Sequence, residues 1–213
     1  MQVEIWSDIA CPWCYIGKRR FETALAGFAH RDAVTVAWRS FELDPQAPKQ
    51  HDVSQPELLA RKYGMSVANA QAMNARMTDA AAGEGLTFRL DAMKVGNTFD
   101  AHRLLHFAEA HGKREALGER LFAAYLSESA ALSDAETLVA LALDVGLDPR
   151  AAREMLDGDL FADAVRHDEA EAREIGVTGV PFFVLDRRYG LSGAQGPDVL
   201  RAALEQAWSE RTA

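Results

Sequence analysis

The 213-residue sequence predicts an α/β protein whose two β-containing ends are separated by a long helical segment. Residues 3–7 and 34–38 alternate as strands do, and apolar residues at helical spacing lie between them. Residues 46–155 carry helix caps and Gly or Pro breaks without extended alternation. Residues 180–185 form a β-type run. These observations predict the order β-α-β, helical block, α-β-β-α.

The first unit is predicted from periodicity. Val3 to Ser7 is strand-like, Ile16 to Phe28 has helical apolar spacing, and Val34 to Trp38 is β-branched and alternating. A β-α-β unit of this length implies two parallel, neighbouring strands.

The helical block is predicted from its helix-capping residues and its Pro and Gly breaks. Pro45 and Pro48 mark its start. Ser54 with Glu57, and later Ser133 with Glu136, have the spacing of capping boxes. We therefore expect an inserted helical domain at 46–155, and a discontinuous domain made of 1–45 and 156–213.

The third unit is predicted to begin with a helix near Asp159. The run from Val180 to Leu185 is followed by a polar turn and by a hairpin partner, Tyr189 to Ser192. A last helix follows from Pro197 to Trp208. The complete order is that of the thioredoxin fold with an all-helical domain inserted after its second strand.

Composition limits the function. The net charge of −9 argues against nucleic acid as a partner, because nucleic-acid binding needs a basic surface. The sequence has no run of 18 apolar residues, so we expect no membrane span. The first residues lack the pattern of a secretory signal. The expected location is therefore the cytoplasm.

The two cysteines, Cys11 and Cys14, lie at a predicted strand-to-helix junction. The helix N-terminus favours negative charge, so Cys11 is expected to be an exposed nucleophile of low pKa. Cys14, one turn later and more buried, would resolve the mixed disulfide. Pro12 presets φ in the first turn. The pattern predicts thiol–disulfide chemistry rather than a structural staple.

A metal site is the alternative for this pair. It would need two further Cys or His ligands, and the chain has no second cysteine pair. His102 and His106 have the spacing to share an ion, but lone helical pairs of this kind are more often surface or core residues. We expect no metal.

Two further positions suggest roles in this chemistry. Val180-Pro181 stands at the start of the predicted strand, where a cis bond would expose the Val180 backbone to an extended substrate segment. A trans proline at the first residue of a strand is the alternative. Glu4 could accept the proton of Cys14. A solvated strand glutamate is the alternative for that residue.

Together these residues resemble the DsbA family of thioredoxin-fold oxidoreductases, within it the FrnE-like branch, over essentially the whole chain. The matching segments are Trp6-Ser7-Asp8, Cys11-Pro12-Trp13-Cys14-Tyr15-Ile16-Gly17, Phe41-Glu42-Leu43, Asn97-Thr98 with Ala101-His102, and the run from Gly176 to Phe183.

The resemblance implies a dithiol oxidoreductase or disulfide isomerase with Cys11, Cys14 and a cis Pro181 as catalytic residues. It implies no bound cofactor, with glutathione as a candidate co-substrate, and a thiol- or disulfide-containing protein or small molecule as substrate. The substrate-binding residues would be Pro12, Trp13, Val180, Asn97, Thr98 and His102. For Asn97 and Thr98, helix capping is the alternative.

The sequence also departs from the family pattern. Trp13 stands where the periplasmic oxidant has a histidine, so an equally strong oxidising power is not implied. Some members of the branch carry an extra C-terminal cysteine pair, which this sequence lacks.

Two other functions stay open. Kappa-type glutathione transferases and 2-hydroxychromene-2-carboxylate isomerases have the same plan but carry a serine at the position of Cys11. A chaperone-like module would use the Met-rich helix with Met65, Met73 and Met77, although such a stripe more often fills a core. Oligomeric state is open, with a homodimer as one option.

Overall fold

The computed structural model describes residues 1–211. Within them the chain forms four strands: β1 (Gln2–Ser7), β2 (Thr35–Ser40), β3 (Phe182–Leu185) and β4 (Tyr189–Ser192). It also forms nine α-helices: α1 (Pro12–Ala26), α2 (Gln55–Tyr63), α3 (Val67–Ala82), α4 (Phe99–Ala110), α5 (Arg114–Leu126), α6 (Ala135–Asp144), α7 (Pro149–Asp157), α8 (Ala162–Glu174) and α9 (Pro197–Ser209). The predicted α/β thioredoxin fold with a helical insertion is confirmed. Among residues 1–211, no helix is long and apolar enough to cross a membrane.

The four strands form one mixed sheet in the order β2-β1-β3-β4. β1 and β2 are parallel, as the β-α-β pattern predicted, and Ser7 pairs with Ser40 at their ends. β3 runs antiparallel to both β1 and β4. β1 is therefore a central strand with a neighbour on each side.

Packing divides the chain into two compact units. One, the thioredoxin unit, comprises residues 1–43 and 167–211, and the other, the helical unit, comprises residues 44–166. The boundaries predicted from the sequence were 45/46 and 155/156. The second boundary of the structure falls within α8 instead, because the later residues of this helix pack on the sheet.

In the thioredoxin unit, the alternation of β1 sends side chains to both faces of the sheet. Val3 and Ile5 pack with Phe183 and with residues of α1 and α9. Trp6 faces the opposite side, where it packs with Ala172 of α8. With both faces covered, the end of β1 holds the following loop at a fixed place.

In the helical unit, α2 packs on α3, and α4 contacts α5, α6 and α7. The predicted capping box of Ser54 and Glu57 is confirmed.

The second predicted capping box, that of Ser133 and Glu136, is wrong. The N-cap of α6 is Asp134, whose carboxylate accepts the Thr137 N–H at 2.9 Å. Ser133 and Asp134 are both good N-cap residues, so the sequence did not decide between them. Glu136 pairs with Arg153 instead.

Candidate active site

The cysteine motif lies at the start of α1, after the short loop that follows β1. Cys11 is the N-cap of α1 with extended backbone (φ −94°, ψ 110°), and Pro12 occupies the first turn. The Cys14 N–H donates to the Cys11 carbonyl at 3.0 Å. Cys11 therefore stands at the N-terminus of α1, where the helix dipole favours negative charge.

The two sulfurs differ from the expectation in one respect. Cys14 is completely buried, as predicted, but Cys11 is only 6% exposed, so the predicted exposure of its side chain is wrong. The reason is Val180, whose carbonyl oxygen lies 3.5 Å from the Cys11 sulfur. Trp13 is the exposed member of the motif at 41%, and both cysteines are free thiols.

The Val180–Pro181 peptide bond is cis, as the sequence predicted. The Pro181 carbonyl accepts the Gly193 N–H at 2.8 Å. Pro181 also packs against Gly17 of α1, since a Cβ built on Gly17 would lie 2.9 Å from its Cγ. The structure thus brings Cys11, Val180 and Pro181 together; their catalytic roles stay predictions.

The environment of Cys14 makes its thiol hard to ionise. Burial raises its pKa well above the ordinary value, and the hydrogen bond and charge of Cys11 raise this pKa further. The Ser7 hydroxyl and the Asp8 main chain, which are placed to donate to the Cys14 sulfur, act in the opposite direction and lower this pKa.

Asp8 organises the loop before the cysteines, a role that our sequence reasoning missed. Its carboxylate is buried and accepts the Ala10 N–H at 3.0 Å and the Leu43 N–H at 2.7 Å. Its carbonyl accepts the Cys11 N–H at 3.1 Å. An Asp at the first position of a tight turn is a local Asx-turn signal that could have identified it.

Glu4 is 1% exposed, so the alternative of a solvated strand residue is wrong. Its carboxylate accepts the Arg39 Nη2–H at 2.6 Å and also pairs with Arg187. Arg39 bridges Glu4 to Asp168 of α8 at 3.3 Å. Glu4 therefore belongs to a buried ion-pair network, and its role as a proton acceptor stays a prediction.

The predicted residues Asn97, Thr98 and His102 lie in the helical unit, at the start of α4. The Asn97 side chain accepts the Phe99 N–H at 2.8 Å, which confirms a capping role for Asn97. Thr98 is the N-cap residue, and both Thr98 and His102 are buried. Binding of substrate by these three residues stays a prediction. Among residues 1–211, no group of three or more His, Cys, Asp or Glu side chains is arranged to hold a metal.

Comparison with known proteins decides the family. The family described as the DSBA-like thioredoxin domain matches residues 2–205. The chain belongs to the DsbA-like thioredoxin-domain family. This assignment confirms the predicted class of enzyme, a dithiol–disulfide oxidoreductase.

Solved structures extend the comparison for this DsbA-like protein. A probable DsbA oxidoreductase from Streptomyces coelicolor is 52% identical, with a TM-score of 0.95 over 100% of this chain and 92% of that one. A 2-hydroxychromene-2-carboxylate isomerase is 16% identical with a TM-score of 0.74, covering 100% of this chain and 98% of its own. The cytosolic disulfide reductase DsbM of Pseudomonas aeruginosa is 20% identical with a TM-score of 0.68, covering 100% of both chains. At these identities the last two show the fold alone.

Proposed function

We propose that this DsbA-like protein exchanges disulfides through Cys11 as nucleophile and Cys14 as resolving thiol. The observation that carries the proposal is the position of Cys11 at the N-cap of α1, with its sulfur 3.5 Å from the Val180 carbonyl. A helix N-terminus stabilises a thiolate, and thiolates perform disulfide exchange. Cys14 lies one turn along the same helix, within reach of Cys11.

Reduction of a substrate proceeds in two exchanges. The Cys11 thiolate attacks one sulfur of the substrate disulfide, which breaks the S–S bond and releases the other sulfur as a thiolate that takes up a proton. Cys14 loses its proton and attacks the Cys11 sulfur, forming the Cys11–Cys14 disulfide and releasing the second substrate thiol. Oxidation of a dithiol is the same sequence in reverse.

Substrate recognition is proposed to use the surface around Cys11. Trp13 is exposed, Pro12 and Val180 are half-buried, and the Val180 backbone can pair with an extended segment. A thiol- or disulfide-containing protein or small molecule fits this surface, with glutathione as candidate co-substrate. The FrnE-like branch and a cytoplasmic location are retained as part of the proposal.

A trapping experiment tests the assignment of the two cysteines. Reduced Cys14→Ser protein, exposed to oxidised glutathione, should accumulate one glutathionyl group on Cys11, because the resolving thiol is absent. Wild-type protein should pass on to the internal disulfide, and Cys11→Ser should accumulate neither. Intact-mass measurement after alkylation reads all three proteins.

Two outcomes would contradict the proposal. Wild-type protein that stops at the glutathione adduct would favour the glutathione-dependent isomerase class. Suppression of client-protein aggregation that persists in Cys11→Ser, with no exchange activity in wild type, would favour the chaperone-like module.

A further inference from the structure

Two donors, at the last residue of β1 and at the residue after it, face the Cys14 sulfur. The Ser7 hydroxyl is buried and makes no conventional hydrogen bond within residues 1–211, and it faces Cys14. The main-chain N–H of Asp8 faces the same sulfur. A neutral thiol is a weak acceptor, so these donors are poorly used while Cys14 is protonated.

We infer that the Ser7 hydroxyl and the Asp8 N–H form a binding site for the Cys14 thiolate, used when Cys14 attacks the Cys11 mixed disulfide. The inference rests on the proposed function and assigns Ser7 as a catalytic residue of its resolving step. Hydrogen bonds to an anion are roughly twice as strong as those between neutral groups. The two donors therefore stabilise the charge that appears on the way to the transition state more than the resting thiol.

The geometry keeps both donors in place. Ser7 pairs with Ser40 in the parallel sheet, and its carbonyl accepts the Phe41 N–H at 3.2 Å. Asp8 is fixed by its own carboxylate, which accepts the N–H groups of Ala10 and Leu43. A pre-positioned donor needs no reorganisation when the charge develops.

The charged side chains on β1, on the loop after it and at Lys18 of α1 have partners of their own. Cys11, on the same helix, raises the pKa of Cys14. The Asp8 carboxylate is engaged by two main-chain N–H groups. Glu4 on β1 is paired with arginines, and Lys18 on α1 is paired with Glu22. Glu4, the carboxylate that the sequence suggested as a base, is thus held as an ion-pair partner.

The step is balanced without another reactant. Cys14 gives its proton to solvent as its sulfur bonds to the Cys11 sulfur, the bond between Cys11 and the substrate sulfur breaks, and the departing thiolate takes a proton from solvent. Cys11 and Cys14 are oxidised to a disulfide, and the substrate is reduced.

Rapid mixing of the reduced full-length protein with the aromatic disulfide dithiobis(nitrobenzoate) resolves the two steps. Attack by Cys11 releases the first coloured thiolate, and attack by Cys14 releases the second. The pH dependence of the second phase reports the ionisation of Cys14 in the mixed disulfide.

Ser7→Ala should raise the pH midpoint of the second phase by about one pH unit, the loss expected for one hydrogen bond to a charged group. At neutral pH this phase should slow about threefold, because the tenfold smaller thiolate fraction is partly offset by a more nucleophilic sulfur. The first phase should change less than about twofold. Ser7→Thr, which keeps the hydroxyl, should restore the wild-type midpoint.

Ser40→Ala removes a buried serine hydroxyl from the paired position of β2 and is the matched control; its midpoint should equal that of wild type. An unchanged midpoint in Ser7→Ala, or equal shifts in Ser7→Ala and Ser40→Ala, would overturn the inference while leaving the two-cysteine mechanism intact. Wild-type protein that never releases the second thiolate would overturn the proposed function and this inference with it.

Discussion

Gly17 of α1 lies against Pro181, the proline that follows Val180 over the Cys11 sulfur. A Cβ built on Gly17 would lie 2.9 Å from Pro181 Cγ and 3.5 Å from Ala194 Cβ. The absence of a side chain at this position therefore sets how closely the Pro181 loop approaches the cysteine helix. Overpacking here acts on the site as well as on stability.

Gly17→Ala should lower the free energy of unfolding by about 1 kcal/mol, because an overpacking cost of about 1–3 kcal/mol exceeds a gain in helix propensity of about 0.5–1 kcal/mol. The rate of disulfide exchange should fall about tenfold, since Pro181 must shift. Chemical denaturation and a thiol-exchange assay measure the two effects.

Gly118→Ala is the matched control, because Gly118 is also inside a helix but a Cβ there would lie 3.8 Å from Leu105 Cδ2, an ordinary contact. It should stabilise the protein by about 0.5–1 kcal/mol and leave exchange unchanged. Equal effects of the two substitutions would contradict the role assigned to the contact between Gly17 and Pro181.

Arg103 is a buried anchor of the helical unit. Its guanidinium donates to the carbonyls of Leu160, Met155 and Gly158 at 2.9, 2.7 and 2.6 Å, and pairs with Asp100 at 2.8 Å. Arg103→Met should lower the free energy of unfolding by about 3–5 kcal/mol, because it leaves carbonyls at and beyond the end of α7 without their donor.

The control for this prediction is Arg153→Met. Arg153 also makes ion pairs, with Glu136 and Asp157, but its side chain is 42% exposed. Exposed pairs contribute about 0–1 kcal/mol, so this variant should remain within about 1 kcal/mol of wild type. A loss in Arg103→Met no larger than that in Arg153→Met would refute the anchoring role.

Gly96 lies where residues 48–51 approach the chain before α4. A Cβ on Gly96 would lie 2.1 Å from the Lys49 carbonyl oxygen. The N–H of the next residue, Asn97, donates to the Pro48 carbonyl at 3.0 Å. Gly96→Ala should cost about 3 kcal/mol of stability, because backbone atoms must move. Hydrogen exchange should show faster exchange of the Phe99 amide, which Asn97 caps; unchanged protection of that amide would contradict the prediction.

Glu171 makes the stability of the thioredoxin unit depend on pH in the acid range. The hydrogen bond from Arg187 lowers the pKa of Glu171, and the charges of Arg187, Arg39 and His167 act in the same direction against desolvation. A lowered folded-state pKa means that the stabilisation is fully present above the unfolded pKa of about 4.3. The stabilisation is then lost as the pH falls through the folded pKa.

Glu171→Gln should therefore be less stable than wild type at neutral pH, and the difference should shrink below about pH 4. Asp32→Asn, at a side chain that is 98% exposed, should stay within about 0.5 kcal/mol of wild type at every pH. Denaturation curves from pH 3 to 7 measure both, and a difference for Glu171→Gln that does not depend on pH would argue against the ion pair.

Local sequence patterns were sufficient to predict most of the secondary structure around the cysteine motif. The strand before Cys11 and the helix after it follow from short segments with strong local patterns. The cis bond before Pro181 followed from its place in the predicted fold and from the family resemblance, because the local chemistry of an X-Pro bond admits both isomers. The parallel pairing of β1 with β2 followed from the length of the connection between them.

Long-range contacts set what the sequence did not show. Cys11 is covered by the carbonyl of Val180, 169 positions later in the chain, and no local pattern around Cys11 indicates that cover. Glu4 is likewise buried because Arg39 and Arg187 reach it from another strand and from the turn between β3 and β4. The sequence also did not decide which of two neighbouring residues with similar N-cap propensity begins a helix, as at the start of α6.

Equilibration of the purified protein in glutathione redox buffers, with alkylation and mass measurement, tests the central claim most directly. The account predicts one reversible disulfide, Cys11–Cys14, with a single midpoint. A potential near about −270 mV would indicate a reductase, and one between about −180 and −120 mV an isomerase or oxidant. The absence of any internal disulfide across the full range of buffers, with glutathione held on Cys11 alone, would contradict the account.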